Sequence, residues 1–335
     1  MTKLNENINY FIRRLELGRG RLFRGYMKTA REIVQDLYNE KLLEEPRTFN
    51  EKLRWRMKYD RRPILTITQD KYKVIDYLKQ NGFGNLLKKL YFATDNPADI
   101  PFGDMTERYI VKSNNSSGEV IVMNRGFDLV SKSRMNGEEL VRKCNQYLRQ
   151  RYWNELNEWA YRGIKPMIIV EEFLSDENGS YPVDYKFMCY DGKPQIVEVI
   201  TNRYGDYTDN YFDMDWRRLD FTWSDWPGVK GGPPGDDIRP PDNFEEMTRI
   251  AGELSKPFDF VRVDLYSVRG KIYFGEFTQY PSGGIGEIEP RSFDDYMGGF
   301  WTLPDIDAVR DNSLMSRVSD LYYSLYYRYK FWRYK

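Results

Sequence analysis

The spacing of apolar and polar residues divides the chain into a helical first third and a strand-rich remainder. Apolar positions at helical spacing, ended by stop signals such as Pro46 and Asn81-Gly82, predict helices. Short β-branched or alternating runs separated by glycine-containing turns predict strands. The predicted helices cover 30–45, 49–59, 70–81, 137–151 and 245–255, and the predicted strands cover 109–112, 119–123, 167–174, 185–190, 195–200, 260–266 and 272–278. Loose alternation with many antiparallel hairpins predicts an α+β fold.

Residues 204–243 differ from the rest of the chain in composition. They contain nine Asp, three Trp (Trp216, Trp223 and Trp226) and the run Gly231-Gly-Pro-Pro-Gly235. This composition predicts a loop-rich insertion rather than regular structure. Because indole faces stack on sugar rings, the insertion is a candidate acceptor surface; a lid or a packing segment is the alternative.

Composition excludes several classes of chemistry. The chain has 335 residues, 51 Lys+Arg, 51 Asp+Glu and no histidine, so it has no imidazole base or imidazole metal ligand. A metal site must then be rich in oxygen, which suits Mg²⁺, Mn²⁺ or Ca²⁺. The zero net charge argues against nucleic-acid binding. Cys144 and Cys189 cannot form a disulfide scaffold, and no apolar run suits a signal peptide or a membrane span, so we expect a cytoplasmic protein.

The strongest local signal is the predicted hairpin at 260–278. With an odd number of residues in its turn, Asp264 lies opposite Glu276 and Arg262 lies opposite Thr278, whereas a two-residue turn would place Glu276 on the wrong face. Opposed carboxylates repel each other unless a cation lies between them, which predicts a metal site. An exposed hairpin with a polar outer face is the alternative.

Three weaker signals involve isolated charges at strands. Lys112 precedes the loop 113–118, whose backbone N–H groups could contact phosphate, although an ordinary hairpin turn has the same composition. Glu171 and Glu172 end an apolar strand, where they could accept hydrogen bonds from a ribose or an adenine, or simply reach solvent. Lys186 lies in mid-strand, where it needs either an anionic partner or an edge position.

The order of these motifs resembles the ATP-grasp fold, in which two α+β lobes hold ATP. The closer resemblance is to its TupA-like branch, named for teichuronopeptide synthesis and common in gene sets for capsule and surface polysaccharide. The resemblance covers about residues 45–300. The residues that carry it are Phe49-Asn-Glu-Lys-Leu-Arg-Trp55, Asp70-Lys71, Lys112, Ser117-Gly118, Glu171-Glu172-Phe-Leu174, Asp184-Tyr-Lys-Phe187, Arg203, Phe260-Val-Arg-Val-Asp-Leu-Tyr266, Gly275-Glu-Phe-Thr278, Asp294 and Gly298-Gly299.

The resemblance implies a role for individual residues. Lys112 and Lys186 would contact the ATP phosphates, and Lys71 is a candidate third contact. Ser117 and Gly118, in the loop after Lys112, would also contact the phosphates. Adenine and ribose would be held by Glu171 and Glu172. The implied Mg²⁺ ligands are Asp264, Glu276 and Thr278, with two ions expected and Mn²⁺ as a substitute. Catalysis at the transferred phosphate would involve Arg262, Arg203 and Lys186.

The reaction that the resemblance implies is ATP-dependent ligation of a carboxylate and an amine through an acyl phosphate. The carboxylate would belong to a uronic acid of a polysaccharide or sugar nucleotide, and the amine to an amino acid or an amino alcohol. Two alternatives remain open. Asp213-Met214-Asp215 matches the D-x-D motif of metal-dependent glycosyltransferases, and a non-catalytic glycan-binding protein could retain the fold.

The predicted organisation has four parts. A helical N-terminal region at 1–105 precedes a small ATP-grasp lobe at 106–174, a C-terminal lobe at 175–305 and a tail at 306–335. The basic segment 10–31 and the aromatic, basic tail 321–335 could contact an anionic membrane surface or a polyanionic glycan. A C-terminal helix packed on the core would explain the tyrosines of the tail equally well.

Overall fold

A computed structural model describes residues 43–105, 108–153, 157–203, 206–225, 229–313 and 316. Its helices are α1 Phe49–Tyr59, α2 Pro63–Gln69, α3 Lys73–Gln80, α4 Gly137–Arg149, α5 Phe244–Ser255, α6 Ser292–Gly299 and α7 Ile306–Val309. Its strands are β1 Leu90–Thr94, β2 Tyr109–Ser113, β3 Val120–Asn124, β4 Phe127–Asp128, β5 Ser133–Arg134, β6 Ile168–Glu172, β7 Asp184–Tyr190, β8 Lys193–Thr201, β9 Thr208–Asp213, β10 Arg218–Leu219, β11 Thr222–Trp223, β12 Phe260–Val268, β13 Lys271–Thr278 and β14 Ile288–Glu289.

The predicted α+β class is confirmed. Most of the predicted helix at 30–45, the basic segment 10–31, Trp226 and the tail 321–335 lie outside the described residues. Within the described part of the chain, no helix has both the length and the apolar character needed to cross a membrane. Both cysteines are buried and free, as expected.

The smaller of the two main sheets has the strand order β1-β6-β2-β3-β4-β5, with antiparallel neighbours. One face is apolar and packs on α4, which begins at a capping box formed by Asn136 and Glu139. Leu140 and Cys144 of α4 meet Val111 and Val170 of the central strands. The opposite face carries the charged side chains of Lys112 and Glu171.

The larger sheet has the order β10-β9-β8-β7-β12-β13, also antiparallel. One face is apolar over its whole width and is covered by α5, whose Met247 and Ile250 pack near Phe187. The other face is apolar only at one end, where Met188 joins Phe49 of α1 in a second core cluster. The other end of this face is polar, and the candidate site lies there.

A buried charge network attaches α1 to the larger sheet. Arg56 is fully buried; its guanidinium donates to Asp259 Oδ2 at 2.7 Å and to the carbonyl of Phe260 at 2.9 Å. The indole N–H of Trp301, beyond α6, donates to the same Asp259 oxygen at 2.6 Å, and the Trp301 ring lies 4.4 Å from the Arg56 guanidinium carbon. Because both charges are buried and paired, the network fixes the position of α1.

The prediction that the loop-rich segment 204–243 lacks regular structure is wrong for three short stretches, 208–213, 218–219 and 222–223. Residues 208–213 form β9, which pairs with β8, and two short strands follow it. The Asp and Asn of this segment disfavour strand structure in isolation, but the free edge of β8 supplies backbone partners that outweigh this preference. Two of the tryptophans are packing residues: Trp216 stacks on Phe212, and Trp223 is buried against Phe49.

Candidate active site

A row of charged side chains crosses four neighbouring strands on the polar end of the larger sheet. Glu198 of β8 pairs with Lys186 of β7, Lys186 pairs with Asp264 of β12, and Asp264 pairs with Glu276 of β13. Directly paired residues of antiparallel strands share a face, so all four side chains lie on one side. Lys186 Nζ donates to Glu198 Oε1 at 3.1 Å. Lys186 thus has the anionic partner that a mid-strand lysine requires.

The predicted pairing of Asp264 with Glu276 is confirmed, but the odd-numbered turn is wrong. The turn has two residues, Arg269 and Gly270, both with positive φ. A β-bulge at Gly275 shifts the register by one residue and returns Glu276 to the face of Asp264. A Cβ at Gly275 would lie 2.9 Å from the carbonyl oxygen of Asp264, so only glycine fits here without displacement.

Arg262 lies between the two opposed carboxylates. Its guanidinium makes a bidentate contact with Asp264, with both bonds at 2.7 Å, and lies 3.5 Å from Glu276 Oε1. Burial raises the pKa of Asp264, and the charge of Glu276 adds to this effect. Burial acts in the same direction on Glu276, but the charges of Lys71 and Arg262 outweigh it and hold the pKa of Glu276 low. The cation between the carboxylates is therefore a guanidinium.

The donor set also fits Mg²⁺. Asp264 and Glu276 supply carboxylate oxygens, and the Thr278 hydroxyl lies beside them and donates to Glu276 at 3.4 Å. The described residues include no group of three or more Asp, Glu or Cys that could hold a metal ion. Two carboxylates suffice for Mg²⁺ when substrate phosphates complete its coordination. These residues could hold the ion together with a nucleotide.

Three lysines, Lys71, Lys88 and Lys112, lie close together on the side of the site that faces Glu276. Lys88 and Lys112 both donate to Glu171 Oε1 at 2.7 Å. Lys71 follows α2; it donates to the carbonyl of Ser116 at 2.5 Å and lies 3.9 Å from Glu276 Oε2. Lys71 thereby links the two sheets. The cleft is lined by Thr68, Gln69, Lys71, Val74, Ile75, Leu87, Lys88, Leu90, Lys112, Glu171, Phe274, Gly275, Glu276 and Phe277.

The pKa shifts in this cluster show how strongly its charges interact. Burial lowers the pKa of Lys88, and Lys112 adds to the decrease, while Glu171 opposes it. Burial lowers the pKa of Lys71 in the same way. Burial alone would raise the pKa of Glu171, but Lys112 and Lys88 hold it at about 2. Three ammonium groups therefore share few anionic partners, an arrangement that favours binding of a polyanion.

Glu171 and Glu172 face opposite sides of the smaller sheet. Glu171 points into the lysine cluster, whereas Glu172 accepts a hydrogen bond from the backbone N–H of Lys89 at 3.1 Å. The loop after Lys112 is anchored by buried Asn114, which donates to Asp70 Oδ1 at 2.9 Å and to the carbonyl of Lys165. Ser117 and Gly118 are exposed at its tip, and φ of Gly118 is +79°.

Arg203 lies at the end of the strand that carries Glu198. Its Nη1 donates to buried Asp184 Oδ2 at 2.6 Å, and its charge is one of those that lower the pKa of Glu276. The structure thus places Lys71, Lys112, Glu171 and Glu276 in the lining of the cleft. The charges of Lys186, Arg203, Arg262 and Asp264 interact with this group from the larger sheet, and Thr278 contacts Glu276. Glu172, Ser117 and Gly118 lie at the margins of this group.

The sequence matches the family model of the TupA-like ATP-grasp proteins over residues 51–301. This match covers most of the chain. The chain belongs to the TupA-like ATP-grasp family. The predicted family and the predicted ATP-grasp fold are confirmed by this match. No curated protein matches the sequence.

The solved structures that match the chain include three ligases of low sequence identity. A D-alanine–D-alanine ligase from Bacillus anthracis is 16% identical; the match covers 64% of this chain and 59% of that one, with a TM-score of 0.37. The ATP-grasp ligase PsnB with its minimal precursor is 10% identical, with 65% and 53% coverage and a TM-score of 0.34. A phosphoribosylamine–glycine ligase from Thermotoga maritima is 12% identical, with 66% and 50% coverage and a TM-score of 0.35. The chain therefore spans between half and three fifths of these proteins.

Three charged residues in or near the candidate site were not predicted from the sequence. Lys88 belongs to the polar pair Lys88-Lys89 before β1, and no strand was predicted there. Glu198 lies in a predicted strand, twelve residues after Lys186, but the two-residue turn at Asp191-Gly192 alone would pair Lys186 with Val197. A one-residue register shift between Pro194 and Ile196 brings Glu198 opposite Lys186 instead. Asp209 lies in a segment that was predicted to be a loop.

The D-x-D motif of the glycosyltransferase alternative serves a structural purpose. Asp213 ends β9, and its Oδ1 accepts hydrogen bonds from the backbone N–H groups of Asp215 at 3.0 Å and Arg217 at 2.8 Å. The Asp215 carboxylate pairs with the Arg217 guanidinium at 2.6 Å. Both aspartates thus stabilise the turn between β9 and β10, which disfavours a role in binding a metal and a sugar nucleotide.

Proposed function

We propose that the chain is an ATP- and Mg²⁺-dependent carboxylate–amine ligase that acts through an acyl phosphate. The observation that carries this proposal is the cluster of cations from both sheets around the opposed pair Asp264 and Glu276. Lys112 lies in β2 of the smaller sheet and Lys88 lies just before β1, whereas Lys186 lies in β7 of the larger sheet. Such a cluster can neutralise the charge of a triphosphate.

Each group has a task in this reaction. Lys71, Lys88, Lys112 and Lys186 would contact phosphate oxygens, and Asp264, Glu276 and Thr278 would hold Mg²⁺, which neutralises phosphate charge. Arg262 would exchange its contact with Asp264 for one with the transferred phosphoryl group, and Arg203 would orient the acyl phosphate. Glu171 would accept hydrogen bonds from the nucleoside. In-line attack by a carboxylate then requires positioning and charge neutralisation only, and no histidine.

The substrates that we propose are a uronic acid of a capsular or surface polysaccharide, or its precursor, and an amino acid or amino alcohol. The support for the polysaccharide is the resemblance to proteins of capsule gene sets. The location that we propose is the cytoplasm, with peripheral membrane contact through the termini, which lie outside the described residues.

The experiment is a screen of uronic acids against amines with release of ADP and phosphate as the readout. The wild-type protein should release ADP only when both substrates are present. Lys186→Met should lower turnover by at least a hundredfold, because it removes a phosphate contact, whereas Lys193→Met, at the exposed start of the next strand, should not change it. Release of UDP from a UDP-sugar would instead favour a glycosyltransferase.

A further inference from the structure

The acidic side chains beyond Lys186 are not used by the proposed phosphoryl transfer. Asp209 and Tyr211 lie on the same face of β9, because they are two residues apart, and Tyr211 pairs with Glu198. Since adjacent strands are about 4.8 Å apart, β9 lies roughly 10 Å from β7 and Lys186. The distance from Asp209 to Lys186, the lysine proposed to bind phosphate, is therefore comparable to the length of a small substrate.

Among the residues that the structure describes, one oxygen of buried Asp209 has no hydrogen-bond partner. Only 8% of Asp209 is exposed. Its Oδ2 accepts a hydrogen bond from the Tyr211 hydroxyl at 3.0 Å, and its backbone N–H donates to the carbonyl of Pro233 at 3.0 Å. Its Oδ1 is buried and accepts no hydrogen bond from any described residue. An unpaired buried carboxylate oxygen is costly, so this position is suited to a donor that a ligand brings.

The charges around Asp209 define the kind of donor. Burial and the negative charge of Glu198 raise the pKa of Asp209 to about 8, and Asp225 acts in the same direction. Lys186 and the hydrogen bond from Tyr211 oppose the increase but do not cancel it. Three carboxylates thus face one ammonium group, and that ammonium is already bonded to Glu198. The surroundings favour an additional cation over an anion.

A glycine-rich segment covers this position closely. A Cβ at Gly232 would lie 2.6 Å from Asp209 Cβ, and a Cβ at Gly235 would lie 2.4 Å from Thr208 Oγ1. The backbone of this segment can therefore approach β9 only because these positions carry no side chain. The cover keeps bulk water away from Asp209. Charge interactions at Asp209 are therefore stronger than they would be in water.

We propose that Asp209, flanked by Glu198 and Asp225, binds the ammonium group of the amine substrate and accepts its proton. This inference rests on the proposed ligase function. An ammonium group supplies up to three N–H donors, one of which would satisfy Oδ1. After Asp209 takes a proton, the nitrogen lone pair forms the C–N bond with the acyl carbon. The bond between that carbon and the phosphate oxygen breaks, its electron pair leaves with phosphate, and phosphate takes the second proton.

The test measures amine binding without turnover. Calorimetric titrations would use a panel of amino acids and ethanolamine, with Mg²⁺ and a non-hydrolysable ATP analogue present. We expect saturable binding of at least one amine to the wild type and at least tenfold weaker binding to Asp209→Asn. Asp236→Asn is the matched control, because it makes the same charge change on an exposed residue of the covering segment.

The outcomes separate this inference from the proposed function. Undiminished amine binding by Asp209→Asn, or no saturable binding of any amine, would overturn the inference. Neither result bears on nucleotide binding, which tests the proposed function separately. If the wild type does not bind the ATP analogue, the proposed ligase function is contradicted. Amine binding that depends on Asp209 would, even then, support the proposed amine site. If Asp209→Asn does not fold, Tyr211→Phe removes the donor to Oδ2 and should weaken amine binding severalfold; unchanged binding would count against the inference.

Discussion

Replacing Glu171 by Gln should destabilise the protein in a way that depends on pH. The carboxylate of Glu171 accepts hydrogen bonds from Lys88 and Lys112, and its side chain is only 11% exposed. Its pKa is about 2 in the folded protein, against 4.5 for a free carboxyl group. At about 1.4 kcal/mol for each tenfold change in acidity, this difference corresponds to about 3 kcal/mol of stability at pH 7.

The sign of the pH dependence follows from the lowered pKa. The ionised carboxylate stabilises the folded state above pH 4.5, and this contribution is lost as the pH falls toward 2. About half of it, about 1.5 kcal/mol, should remain at pH 3. Glutamine resembles the protonated carboxyl group in shape. The difference in unfolding free energy between wild type and Glu171→Gln should therefore shrink from about 3 to about 1.5 kcal/mol between pH 7 and pH 3.

Urea unfolding followed by tryptophan fluorescence at pH 7 and pH 3 would measure this difference. Glu172→Gln is the matched control, because Glu172 lies on the other face, where its carboxylate accepts a hydrogen bond from the backbone N–H of Lys89. We expect the control to change stability by less than about 1 kcal/mol at both pH values. Equal effects of the two variants, or a difference for Glu171→Gln that is the same at both pH values, would refute the electrostatic reasoning.

Three further variants test other parts of the structure. Lys88→Met should weaken binding of Mg-ATP at least tenfold in an equilibrium titration, whereas Lys89→Met should not; equal affinities would exclude Lys88 from the phosphate site. Gly275→Val should lower both the unfolding free energy, by about 1–3 kcal/mol, and the affinity for Mg-ATP, because its side chain would displace Asp264. Arg56→Met should cost about 3–5 kcal/mol in urea unfolding, because it leaves Asp259 buried with one cation fewer; a loss below about 1 kcal/mol would contradict the network.

The strand pairs that form the site could be predicted, but the means by which they align could not. Both hairpins of the charged row have two-residue turns with positive φ, at Asp191-Gly192 and Arg269-Gly270. In each hairpin, the register then shifts by one residue before the charged pair is reached. The turn type is visible in the sequence, whereas a bulge depends on packing across the sheet. The odd-turn assumption thus led to the correct pair for a wrong reason.

Residues that act through long-range contacts were the hardest to predict. Lys88 enters the site because the chain before β1 returns past the end of β6, and nothing in its immediate sequence indicates this approach. Asp209 lies in a strand whose own composition favours a loop, and it becomes a strand residue because β8 offers an edge. Lys186 was predictable because a lysine in the middle of a strand needs a partner wherever the strand is buried.

The most direct test of the proposed ligase follows the oxygen atoms of the carboxylate. A uronic acid labelled with ¹⁸O in its carboxyl group would be incubated with the protein, Mg-ATP and an amine, and the released phosphate would be analysed by ³¹P NMR. An acyl phosphate transfers one carboxylate oxygen to phosphate, so we predict one ¹⁸O in each phosphate released. Phosphate without ¹⁸O, or release of AMP and pyrophosphate instead of ADP, would contradict the account.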